Sequence, residues 1–209
     1  MKGLLLKDLY MTMKYCRTYL LIAVVFIAVF FASNDNLFFI FYPCLFCGMI
    51  PVSLLGYDER SHWLQYSDTL PYTKGQIVSC KYVIGLMAQI TMLIVTGVAY
   101  AVRTSINGTF ELNGYIVLML TILIMAMITS SISLPAMFKL GVEKGRIAYY
   151  VMVGVIFAVV GAASSVLGAD FQAEFQLDGI LPILCLLGIG IYALSWYMSV
   201  VFYKKRELK

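Results

Sequence analysis

Six stretches of this chain carry no Asp, Glu, Lys, Arg or His: residues 18–34, 36–57, 82–102, 112–138, 147–169 and 179–203. They run from 17 to 27 residues. A helix needs about 20 apolar residues, at 1.5 Å each, to cross a hydrocarbon core of about 30 Å. Backbone groups in lipid must be satisfied within their own segment, so the pattern predicts an all-α integral membrane protein of six transmembrane helices. The first stretch is short by this rule, but its run Leu-Leu-Ile-Ala-Val-Val-Phe-Ile-Ala-Val-Phe-Phe is dense enough to insert.

Between the spans, polar residues form distinct patterns. Residues 1–17 predict an interfacial helix whose apolar arc holds Leu5, Leu6, Leu9 and Met13, with Lys7 and Lys14 opposite and Leu4 and Met11 on the polar side. In the connection 57–81, Asp58, Glu59 and Arg60 open a short helical pattern in which Trp63, Tyr66 and Leu70 recur every three or four residues. Asp58 is placed to cap that helix and Pro71 to end it, while Thr73-x-x-Gln76 offers a capping box for the third span. Beyond the fifth span, Leu167, Phe171 and Phe175 suggest a short amphipathic helix.

Composition agrees: 62% of residues are hydrophobic and 12% charged, against about 25% charged in soluble domains. The net charge of +4 is not a nucleic-acid stripe, because the basic residues sit at span edges. With the N-terminus inside, 14 basic residues fall on the inner side and only Arg103 on the outer. That asymmetry places both termini in the cytosol. The opening residues do not read as a cleaved signal, with no small-x-small site between Ala28 and Ser33.

Candidate chemistry is sparse. Spans without an ionisable residue offer no proton relay and no intramembrane protease site. No G-x-x-x-x-G-K-[ST] loop is present, so ATP and Mg would have to be held by another polypeptide. The chain itself is expected to carry no catalytic residue, cofactor or metal. Cys44 and Cys47 form a C-x-x-C pair, but within an apolar span between Pro43 and Pro51, where packed thiols are expected rather than a redox motif. The hydroxyl run Thr129-Ser130-Ser131-Ile132-Ser133 reads as satisfying the backbone that Pro135 frees, the other reading being a polar cavity wall. In the fifth span Gly154, Ala158, Ala162 and Ser165, spaced four, four and three, make a small-residue stripe suited to a dimer interface.

The sequence Gly-Tyr-Asp-Glu-Arg-x-x-Trp-x-x-Tyr-x-x-x-Leu-Pro-Tyr-Thr-Lys-x-x-Ile-Val-x-x-Lys-Tyr from Gly56 onward, with the opening Met-Lys-Gly-Leu-Leu-Leu-Lys-Asp-Leu, resembles the membrane subunit of bacterial type-2 ATP-binding-cassette exporters. It is most similar to the small permeases that export phenol-soluble modulins and related antimicrobial peptides. The resemblance implies an elbow helix at the N-terminus and a coupling helix between the second and third spans. It implies that Asp58, Glu59, Arg60, Trp63 and Tyr66 face a cytosolic ATPase subunit. It further implies a second permease copy or paralogue, met through the first and fifth spans, a re-entrant element before the sixth, a toxin-like or antimicrobial peptide substrate, and residence in the bacterial plasma membrane. The rival reading is a non-transporting membrane scaffold or immunity protein that binds peptides or partners.

Overall fold

The computed structural model describes residues 2–32, 38–67, 69, 71–108, 110–167 and 181–206. Among them the chain is helical throughout. In order come α1 (Lys2–Tyr15), α2 (Arg17–Ala32), α3 (Phe38–Cys47), α4 (Met49–Arg60), α5 (Trp63–Ser67), α6 (Lys74–Ile106), α7 (Leu112–Leu140), α8 (Val142–Leu167) and α9 (Leu181–Arg206). The described residues of each charge-free stretch fall on a helix, those of the second on α3 and α4 together. Four described segments are long and apolar enough to cross a membrane: Phe39–Arg60, Lys74–Ile106, Leu112–Leu140 and Ile183–Lys205. A fifth arises if α1 and α2, bent by 59°, count as one. The expected helix beyond the fifth span, through Phe171 and Phe175, lies outside the described residues.

The bend between α1 and α2 has a local cause. An unbroken helix would pair the Met13 carbonyl with the Arg17 amide; here the Arg17 side-chain Nε donates to Met13 O at 2.9 Å. Thr12 adds a bond from Oγ1 to Asp8 O at 2.8 Å, a back-bond of the kind that bends helices. α1 packs on the bundle by the side outside its apolar arc. Leu4 and Asp8 turn inward, whereas Leu6, Leu9 and Met13 are exposed. Charge decides this: Asp8 has partners inside the protein, and the apolar arc is left to the lipid interface.

α3 and α4 are two pieces of one broken rod. Pro51 has no N–H for Cys47 O, and at the break Gly48 N reaches back only to Leu45 O, at 3.0 Å. Tyr149 of α8 donates its hydroxyl to that same carbonyl at 2.7 Å. Every residue from Met49 to Gly56 is buried, so α4 forms the centre of the bundle, packed on α6, α7 and α8. Cys44 and Cys47 are free thiols buried in α3, as the apolar surroundings led one to expect.

Among the described residues, neutral polar groups link the helices inside the spans. Gln89 donates to Ala126 O at 2.9 Å and to Ser130 Oγ at 2.5 Å, joining α6 to α7. Within the hydroxyl run, Thr129 and Ser131 bond back to Met125 O and Met127 O. They do not reach the carbonyl that Pro135 frees. That carbonyl, Ser131 O, accepts instead from Ser195 Oγ of α9 at 2.7 Å. Because Ser195 has spent its proton there, Tyr82 must donate to Ser195 and Ser199 to Tyr82, both at 2.7 Å. The chain Ser199–Tyr82–Ser195–Ser131 O thus runs in one direction and laces α6, α7 and α9. At the opposite end of the spans, Arg103 donates to Phe30 O and lies over the Phe30 ring, 4.3 Å from its centroid.

Candidate functional site

The charge-free criterion marks where hydrocarbon ends, not where helices end. α4 therefore continues through Asp58, Glu59 and Arg60, and α6 begins at Lys74. Asp58, Glu59 and Arg60 close α4 rather than open a loop helix, and Asp58 caps nothing. Ser61 ends α4 with its amide on Tyr57 O at 3.0 Å, and His62 takes the left-handed conformation, φ 52°, that turns the chain into α5. Thr73 and Gln76 form the expected capping box: Gln76 N donates to Thr73 Oγ1 at 3.4 Å and Thr73 N to Gln76 Oε1 at 3.1 Å. The helix expected around Trp63 and Tyr66 is the single-turn α5; Leu70 lies outside the described residues.

This geometry draws four charges together. Lys81 of α6 bonds Asp58 of α4 at 2.5 Å and Asp8 of α1 at 2.7 Å. Lys7 bonds Asp58 at 2.5 Å and lies 3.4 Å from Asp8. Asp8, Asp58 and Lys81 are each only 2% exposed. Two lysines against two aspartates leave no net charge, and each carboxylate has two cations, which is what makes burial tolerable. Lys7 also sits 3.9 Å above the Trp63 ring, and Trp63 in turn packs against Tyr66 at 5.4 Å. Neutral Cys80 completes the setting, its thiol 3.6 Å from Asp8.

Glu59 turns the other way. Its Oε2 accepts from Val142 N at 3.2 Å, at the first residue of α8. That amide is within reach because Gly141, at φ 87°, makes the tight turn from α7 to α8. A carboxylate suits a helix N-terminus on both hydrogen-bond and dipole grounds. The α4–α6 and α7–α8 connections are thereby tied together.

Of the residues singled out by sequence, then, Asp58 and Glu59 point into the protein, Trp63 is half-buried, and Arg60 and Tyr66 are exposed. Lys7, Asp8 and Lys81 were missed as site residues. Gly154 and Ala158 lie exposed on α8; the surroundings of Ala162 and Ser165 lie outside the described residues. Among the described residues no group of His, Cys, Asp or Glu is placed to hold a metal.

In this arrangement an interfacial helix, the end of α4 and the start of α6 are pinned by buried charge around a short exposed turn. The chain matches no curated protein and no solved structure. The family model of the ABC-2 family transporter protein does match, across residues 3–204. With nearly its whole length covered, this multi-pass membrane protein belongs to the ABC-2 family of transporter proteins.

Proposed function

We propose that the chain is the permease half of an ATP-driven exporter, with both termini in the cytosol and six spans. The motor is a separate ATP-binding-cassette ATPase, and the cargo is an amphipathic or hydrophobic peptide. The buried square of Lys7, Asp8, Asp58 and Lys81 carries this reading. A push on α5 reaches Trp63, then Lys7, and through the shared ions moves α1, α4 and α6 together. Charged clusters of this kind are stiff, since separating a buried pair costs several kcal/mol. Hinge-type switching between two helix packings requires such a rigid handle. Exposed Arg60 and Tyr66 are then the contact residues for the ATPase, with Trp63 behind them, while Asp58 and Glu59 transmit.

Co-purification with the ATPase, followed by ATP turnover with and without this chain, tests the assignment. Trp63→Ala is expected to cost about 2 kcal/mol of docking, roughly a thirtyfold loss. Arg60→Ala with Tyr66→Ala weakens docking without touching the ion square. Full binding and coupled turnover in both variants would place the motor elsewhere.

Two copies, or one with a paralogue, complete the pathway. The exposed small residues Gly154 and Ala158 of α8 support close helix approach there. Ala23 is buried, so the crosslinking partner on α2 is exposed Ala28. Cysteines at Ala28 and Ala158 should join two chains; bridges confined to one chain would argue for packing within the subunit.

A further inference from the structure

Two cavities flank the cytosolic-type end of α4, and Arg146 lines both. One, of about 340 Å³, lies between the end of α4 and the α7–α8 turn. The other, of about 320 Å³, is a slot floored by α4 and walled by α2 and α8. Both are large enough for a small ligand group. The slot is lined by Tyr15, Tyr19, Tyr57 and Tyr150, with Ser53 on its floor and Arg146 at its edge.

Arg146 is seated rather than loose. A Cβ at Gly56 would stand 2.8 Å from its terminal nitrogen, so the glycine provides the space the guanidinium occupies. Among the described residues, Arg146 has no hydrogen bond and no ion pair. Every other buried cation of this end is matched: Lys81 has two carboxylates. A half-buried guanidinium with five donors and no acceptor is a site for a planar or tetrahedral anion.

The surroundings define the rest of the ligand. Arg146 stands one residue outside the charge-free stretch that begins at 147, and Tyr57 closes the stretch 36–57. That is headgroup depth, where tyrosines settle. Toward the bilayer centre, the outer faces of α2 and α8 are apolar and exposed at Leu21, Val24 and Val25, and at Val151 and Val155. An anion at Arg146 with chains running along those faces has the form of a lipid. We infer that the slot between α2 and α8 binds the phosphate of an anionic phospholipid from the adjacent leaflet, held by Arg146. On α8, Arg146, Tyr150, Gly154 and Ala158 follow at intervals of four. The lipid would therefore stand at the foot of the small-residue stripe.

The test uses the whole chain in phosphatidylcholine vesicles doped with photoreactive phosphatidylglycerol or, in parallel, photoreactive phosphatidylcholine. Crosslinked peptides are mapped by mass spectrometry. The unmutated protein should label on α2 and α8 with the anionic probe about fivefold over the zwitterionic one, the preference one cation confers. Arg146→Gln should abolish that preference, and Arg146→Lys should retain most of it. Gly56→Ala, which displaces the guanidinium, should lower it. Equal labelling by the two probes in the unmutated protein overturns the proposal without recourse to any variant. So does an unchanged preference in Arg146→Gln. Displacement of the probe by an amphipathic peptide with a free C-terminal carboxylate, but not by its amide, would also overturn it and assign the slot to peptide.

Discussion

Two buried polar seams hold this bundle, and they are built from different chemistry. At the membrane edge, α1, α4 and α6 meet through four full charges. Within the spans, α6, α7 and α9 meet through hydroxyls, one amide and backbone carbonyls. A neutral hydroxyl that loses its partner costs on the order of 1–3 kcal/mol, and an unpaired buried charge more. The charged seam sits where water and headgroups can assist during assembly; the neutral seam is used where they cannot. Strong but unforgiving links lie at the end proposed to receive force, and weak, replaceable ones lie along the interior.

Breaking the charged seam should have the largest effect. Asp58→Ala leaves Lys81 with one carboxylate and Lys7 with a 3.4 Å contact, and is expected to destabilise by about 3–5 kcal/mol. The buried Cys80 thiol reports it: maleimide labelling in detergent should rise sharply. Asp58→Leu with Lys81→Met keeps the remaining Lys7–Asp8 pair balanced and should restore most of the protection. Equal damage from the double variant would mean the charges are not acting as a neutral set.

The neutral seam should yield less. Ser195→Ala removes both the donor to Ser131 O and the acceptor for Tyr82, and a loss of about 1–2 kcal/mol is expected from the modest strength of such bonds in membranes. A lowered thermal midpoint in detergent would show it. If this loss matched that of Asp58→Ala, the contrast between the seams would fail. Smaller again is the cap: Thr73→Ala should cost about 1 kcal/mol, with Thr73→Asp nearly neutral. Arg60→Ala lies outside both seams and should shift stability by no more than about 0.5 kcal/mol. Its proposed consequence is weaker ATPase docking, so a large stability loss would draw Arg60 into the charged seam.

Much of the architecture was legible because hydrophobic runs and a capping box act locally. Thr73 and Gln76 need only each other, and the long apolar stretches need only lipid. The ion square was not legible, since its members lie on three helices whose pairing no spacing reveals. Lys7, Asp8 and Lys81 read as interfacial or topological charges because span edges are where such charges accumulate. Asp8 does leave a trace: it lies one turn from Leu4, outside the apolar arc of Leu6 and Leu9. Likewise the hydroxyl run announced polar contacts in α7, but its neighbour Ser195 on α9 supplies the bond that Pro135 makes necessary. Arg146 gave no signal at all, because its significance is the absence of a Cβ at Gly56.

The ion square also constrains how the protein can be made. A ribosome releases Lys7 and Asp8 first, Asp58 only with the end of α4, and Lys81 only as α6 begins. Until then the partial set carries one uncompensated negative charge, because Lys7 can neutralise only one of the two aspartates. The ion set that holds α1 therefore cannot be complete until α6 is being synthesised. Final docking of the N-terminus is thus a late event in biogenesis, timed by the arrival of a single lysine.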